Sequence, residues 1–300
     1  MPGITNIVSA SGAASGQTLL EQLLAAYRSQ QGRPLEALKQ RQKQIQERQK
    51  LLNNLHTRLE ELLFQAQTFS RPGAEERFMA RKVQSSAPEI VTATAQSSAL
   101  LGSVSIQVQR IARNDVLSSD RLLKTEPFGL SGTYRFDLTA GGNPFSVEVS
   151  LNGTEDTETA LRKIATAINR TPNSSVAATV IADTATTARL TLTAKQTGTA
   201  AAIAFADNTG LLSRLGWTNS LFADPESRIV ATNAAAGYQL ARSSELNAQL
   251  AVNGLTVVRE SNIITDLLPG MTLTLLRSQQ PTDPPVTLTT VADTESVANL

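Results

Sequence analysis

Cysteine is absent from this 300-residue chain, which removes disulfide frameworks, zinc–thiolate sites and thiol nucleophiles and leaves the fold indifferent to redox compartment. Histidine is almost absent too, with His56 the single example. It falls beside the apolar seam of a helical segment, where it reads as a solvated residue, and nothing supplies the acid partner that a Ser-His pair needs. Aromatic residues make up 4% of the chain, including one Trp and three Tyr. That scarcity, with abundant Ala, Thr, Ser, Asn and Gln, favours small β-rich modules over a large enzyme core. The formal net charge is +1, so there is no electrostatic case for binding nucleic acid or an anionic membrane. No uncharged apolar run reaches the roughly eighteen residues that would mark a membrane span. The segment from Met1 to Ala10 lacks the basic and apolar regions of a cleaved secretory signal. No membrane insertion, nucleic acid, cofactor or metal is expected, and no enzyme activity.

What is present begins with a helical pattern over residues 1 to about 75. A seven-residue spacing aligns Leu38, Ile45, Leu52, Leu59 and Ala66, with Arg41, Arg48, Leu55, Leu62 and Phe69 three residues after each. These are the core positions of a heptad, polar in part of its first half and apolar throughout its second. Pro34 sits where a first turn would start, and Arg71-Pro-Gly73 supplies a stop, so one helix is expected over about 35–70. A shorter apolar helix from Thr18 to about Arg28 is expected before it. Seven basic and four acidic side chains between residues 33 and 62 read as the solvated face of a coiled coil. The apolar stripe needs partner helices, either from its own domain or from another segment or subunit.

After Arg81 the period changes to two. Ile90 to Ala95, Ser103 to Ile111, Tyr134 to Leu138 and Phe145 to Leu151 alternate apolar and polar side chains and are expected as half-buried strands. Ala140-Gly-Gly-Asn-Pro144 joins the last two as a hairpin. Asp156 to Asn169 reads as an amphipathic helix, and strands are expected at Val176 to Ala182 and Arg189 to Ala194. Residues 200–243 read as a short helix and loops. A hairpin around Asn253-Gly254 and strands at Met271 to Leu276 and Val286 to Val291 follow, with Asp293 to Leu300 reading as a capped helix start. A chain that stops in such a turn implies a missing partner segment.

The chemical constellations are weak. Glu155, Asp156 and Glu158 could in principle serve glycosidic cleavage or hold calcium, yet their place at a helix N-terminus fits capping. Gly141-Gly142 lacks the Lys-Ser/Thr of a phosphate loop. The Asn-Xaa-Ser/Thr matches at Asn152, Asn169 and Asn173 are chance-level patterns in a Thr-rich chain.

Several motifs together resemble the flagellar filament cap family, also called hook-associated protein 2. They are Pro34-Leu-Glu-Ala-Leu-Lys39 ahead of the heptad helix, Val104-Ser-Ile-Gln-Val-Gln-Arg-Ile-Ala112, and Ala188 to Gly198 with its lysine-x-threonine-glycine turn. The most specific are Ala251 to Asn262, with an Asn-Gly hairpin and a Ser-Asn pair, and Ile264 to Leu275, with a Pro-Gly corner. They occur in the family's order. The first thirty residues depart from it, since Ser11 to Gly16 is at best a remnant of the family's opening. Family members also continue past Leu300 into a helix that packs back on the N-terminal one.

The resemblance implies an α+β fold with an N-terminal coiled-coil-like helical leg followed by β-rich head domains. The leg would occupy 1–75, the first strands of a head domain 76–112, an inserted β-rich domain with short helices 113–243, and return strands with the start of a helix 244–300. It implies an extracellular protein at the flagellum tip, exported without a cleaved signal peptide, forming a homo-oligomeric cap beneath which flagellin folds and polymerises. Partners would include flagellin, hook-filament junction proteins and an export chaperone. The site residues would be leg-packing positions: Leu38, Ile45, Leu52, Leu55, Leu59, Leu62 and Phe69. A β-rich surface adhesin or matrix protein is the alternative from another class.

Overall fold

The computed structural model describes residues 15–69, 79–142, 144–207 and 209–294. The chain divides into two compact units, 1–74 and 75–300. In the first, a single helix α1 runs from Ser15 to Phe69 over 55 residues, with Pro34 inside it. The two helices expected on either side of Pro34 are therefore one. Proline has no N–H to give the carbonyl of Gln30, but its fixed φ suits the helix, and the strong helix formers of Leu35-Glu-Ala-Leu-Lys39 resume the ladder at once. The expected stop at Arg71-Pro-Gly73 and the remnant opening at Ser11 lie outside the described residues.

The second unit is β-rich and holds two hydrophobic cores. Its chain begins with β1 (Arg81–Ser85), β2 (Val91–Ala95) and β3 (Gly102–Arg110). It leaves through β4 (Asn114–Ser118), β5 (Leu122–Leu123), β6 (Gly132–Thr139) and β7 (Phe145–Leu151), then helix α2 (Thr157–Arg170), β8 (Val176–Ile181), β9 (Thr187–Thr197), β10 (Ala204–Asp207) and β11 (Gly237–Tyr238). It returns as β12 (Ala248–Val252), β13 (Leu255–Arg259), β14 (Ile263–Ile264), β15 (Met271–Leu275) and β16 (Val286–Ala292). The expected helix start after Asp293 falls almost wholly beyond the described residues.

Outer strands β1–β3 and β12–β16 form one module. Its five-stranded sheet has the order β1-β16-β3-β12-β13, and a second sheet has the order β14-β15-β2. The core takes Val91 from β2, Ile106 and Val108 from β3, Leu250 from β12, Leu273 from β15 and Leu288 from β16, each fully buried. Alternation along these strands is what delivers them to one face. The tip between β12 and β13 is Asn253 (φ 49°) and Gly254 (φ 85°), the paired left-handed residues of a two-residue hairpin.

Strands β4–β11 and α2 form a second module, inserted between β3 and β12. Its sheets have the orders β10-β6-β7 and β11-β4-β9-β5, with β8 along the other side of β9. Helix α2 buries Leu161, Ile164 and Ile168 against this core. Residues 200–243, expected as a short helix and loops, also contribute the strands β10 and β11. They carry Trp217 and Tyr238, the largest fully buried side chains of the chain. Pairing with β6 and β4 makes these short stretches strands, and no local alternation announces that.

Within the inserted module lies a buried ion pair. Arg228 Nη1 donates to Asp115 Oδ2 at 2.8 Å, with the two side chains 2% and 0% exposed. The same oxygen accepts Ile203 N–H at 2.9 Å, and Arg228 stacks 4.3 Å from the Tyr238 ring centre. Burial raises the Asp115 pKa above 3.8, against the opposing pull of the Ile203 amide and Arg228. Two charges held out of water contribute little net stability, but each makes the other indispensable. Arg228→Met is expected to cost about 3–5 kcal/mol in urea unfolding, and Asp115→Leu added to it is expected to recover most of that loss.

Candidate functional site

The leg-packing residues lie on α1 and are exposed. Leu38, Ile45, Leu52, Leu55, Leu59 and Leu62 are between 51 and 64% exposed. Phe69 is on the helix, with its side chain outside the description. Helical spacing brings Leu52, Leu55, Leu59 and Leu62 onto one face. Sequence reasoning passed over Leu51 and Leu63, at 69 and 58% exposed, which flank the same face and widen it beyond a two-stranded seam. Adjacency in Leu51-Leu52 and Leu62-Leu63 was the available signal. His56 is also exposed, 3.2 Å from Glu60.

The three acids considered for catalysis serve the entry to α2. Asp156 is the N-cap, accepting Thr159 N–H at 2.8 Å, and hydrogen bonds from Thr159 lower its pKa below 3.8. Glu158 pairs with Arg162 at 2.6 Å, and the buried Glu155 accepts from Lys163 and from Asn152 N–H. Each acid is committed to a separate local contact. Among the described residues no group of three or more His, Cys, Asp or Glu could hold a metal ion. No helix among them is long and apolar enough to cross a membrane.

Polar side chains tie the two modules together where they meet. Asn262 grips the backbone of Ala112 with both ends of its amide, accepting from Ala112 N–H at 2.7 Å and donating to Ala112 O at 2.9 Å. Thr197 Oγ1 donates to Glu260 O at 2.6 Å, and Ala200 N–H donates to the Glu260 carboxylate at 3.1 Å. Thr199 N–H reaches Asn247 Oδ1 at 2.7 Å. Between them sits Gly198 at φ 91°, so close to Glu260 that a Cβ would come within 2.5 Å of it. Thus the Thr-Gly turn of the inserted module is clasped by the segment from Glu260 to Asn262.

The class these features define is an α+β protein with a helical N-terminal unit and a two-module β-rich head. The chain belongs to the flagellar hook-associated protein 2 family. The model for the flagellar hook-associated protein 2 N-terminus matches residues 15–115, and that for its C-terminus matches 246–299. All of the inserted module beyond the first two residues of β4 lies between the matched segments. A flagellar hook-associated protein 2 from Campylobacter jejuni is 31% identical over 256 residues, which cover 76% of this chain and 38% of that protein. The D1-D2-D3 domains of the Escherichia coli flagellar cap protein FliD are similar with a TM-score of 0.57 and 26% identity, over 75% of this chain and 58% of theirs. FliD from Pseudomonas aeruginosa shares the fold at a TM-score of 0.53 and 23% identity, over 70% of this chain and 88% of its own. The chain thus spans well under half of the Campylobacter protein and less than two thirds of the Escherichia coli structure.

Two expectations follow. Gly198→Ala is expected to destabilise the head by about 1–3 kcal/mol through backbone strain and the clash with Glu260, and to speed hydrogen exchange at the amides of 198–200. Asp156→Ala is expected to lower the melting temperature at neutral pH. A folded pKa below the unfolded value gives a contribution present above the unfolded pKa and lost as pH falls through the folded one. The melting difference between wild type and variant is therefore expected to vanish at the acid end of a pH series.

Proposed function

We propose that this chain acts in the cap at the distal tip of a bacterial flagellum, where copies self-associate and flagellin folds and joins the filament beneath them. The observation that carries this reading is the exposed apolar stripe of α1, in a chain whose family matches flank the inserted module in order. An exposed contiguous row of leucines on a helix is stable only when other helices cover it. In this reading Leu38, Ile45, Leu52, Leu55, Leu59, Leu62 and Phe69 pack the legs of the assembled cap, with Leu51 and Leu63 broadening the contact. The similar proteins, which are flagellar cap and hook-associated proteins, support it. Export without a cleaved signal peptide, contact with hook-filament junction proteins and escort by an export chaperone belong to the same proposal. The work is done by shape and association, with no cofactor and no covalent chemistry.

Immunogold microscopy of native cells, with antibody against residues 113–243, tests it. Gold confined to filament tips is the expected result, and label spread over the cell envelope overturns it in favour of an adhesin. Leu52→Glu with Leu59→Glu, placed in the native gene, is expected to abolish swimming and release flagellin monomer into the medium. Unchanged motility would remove the stripe from the leg contact.

A further inference from the structure

Among the described residues the sheet β10-β6-β7 ends at β7, which pairs with β6 alone. The pairing runs from Gly132 opposite Leu151 to Leu138 opposite Phe145 with no bulge, so the other edge of β7 is straight for its seven residues. Native edges are ordinarily blunted by bulges, prolines or a covering element. Helix α2 packs beside both β7 and β8, but the backbone hydrogen bonds its Asn169 side chain makes go to β8. Asn169 Nδ2 donates to Ala178 O at 2.8 Å and Asn169 Oδ1 accepts Ala178 N–H at 2.8 Å, so one side-chain amide stands in for a strand. Beside β7 there is a groove of about 430 Å³. It is lined by Val149 and Ser150 of the strand and by Arg162, Lys163, Thr166 and Arg170 of the helix.

Charge selects the occupant. Three cations line the helix side, and Arg170 has no ion pair among the described residues. The Arg162 pair with Glu158 is exposed, at 66 and 35%, and so holds its arginine weakly. Glu148, the one acid lining the groove, stands opposite Arg135 in the β6–β7 register. A second copy of β7 fits poorly, because antiparallel pairing centred on Glu148 sets like charges face to face. Side chains of an added strand would alternate, those level with Val149 facing α2 and those level with Glu148 facing away.

We infer that the free edge of β7 accepts an extended segment of another protein, added as a fourth strand, whose alternate side chains are carboxylates held by Arg162 and Arg170. Main-chain hydrogen bonds supply the affinity and the arginines the choice of partner. This site is independent of the cap reading and of the leg.

Fluorescence anisotropy with the full chain tests it, using labelled Thr-Glu-Val-Glu-Val-Glu-Thr and its counterpart with lysine for glutamate. The glutamate peptide is expected to bind at least about tenfold more tightly. Backbone N-methylation at one set of alternate residues is expected to abolish binding, and at the other set to leave it, since an added strand uses one edge. Arg162→Glu with Arg170→Glu is expected to reverse the preference, with Arg162→Gln and Arg170→Gln as the milder pair if reversal disturbs folding by circular dichroism. No binding, equal binding of the two peptides, indifference to both methylation patterns, or indifference to the arginine variants would each overturn the proposal.

Discussion

The arrangement of the head depends on one constraint: the inserted module leaves and rejoins its host through neighbouring strands. Gln249 of β12 stands opposite Arg110 of β3, and Arg113 N–H donates to Leu246 O at 2.8 Å. Both crossings therefore lie side by side, and a module entered and left at one point could swing on it. Asn262, Glu260 and Asn247 prevent this by binding backbone of the crossing strand and of the Thr-Gly turn. These contacts are hydrogen bonds. Directional hydrogen bonds fix an angle, which a small greasy contact does less well.

Among the motifs that carried the family resemblance, those of the head include residues of this joint and of tight turns. Gly198 closes against Glu260, Asn262 binds Ala112, and Asn253-Gly254 makes the hairpin tip. Alternation made β3, β7 and β16 legible, because a half-buried strand writes its burial into every second residue. The N-cap at Asp156 was legible for a similar reason, its partner being three residues away. The pairing of Asn262 with Ala112 was not, since it joins positions 150 apart. Strands β10 and β11 escaped notice because so short a strand owes its existence to the neighbour that pairs with it. Pro34 misled in the other direction, as a single missing donor does not stop a helix whose flanks favour it strongly.

The two units meet their apolar side chains in opposite ways. Most leucines of the head are enclosed within single-chain cores, such as Leu190 and Leu250 at 0% exposure, while those of α1 stay open. The head is thus stabilised by its own chain, and in the proposed reading the helix draws its stability from association. The proposed leg positions come from the sequence residue by residue, since a heptad spaces them within one helix. In the head an open strand edge carries no such mark, because it is defined by the absence of a neighbour.

Strands β1 and β16 are paired with Arg81 opposite Ala292, and Asp293 N–H continues the ladder to Ala80 O at 2.9 Å. The chain thus enters and leaves the head through adjacent residues at one end of one sheet. In mechanical terms the head is a pendant. Tension running along the chain from residue 80 to residue 293 passes through this first backbone pair and bypasses both cores. Pulled apart at that end, the two strands would unzip one hydrogen bond at a time, so the head's mechanical strength is decided at its root, however tightly its interior is packed.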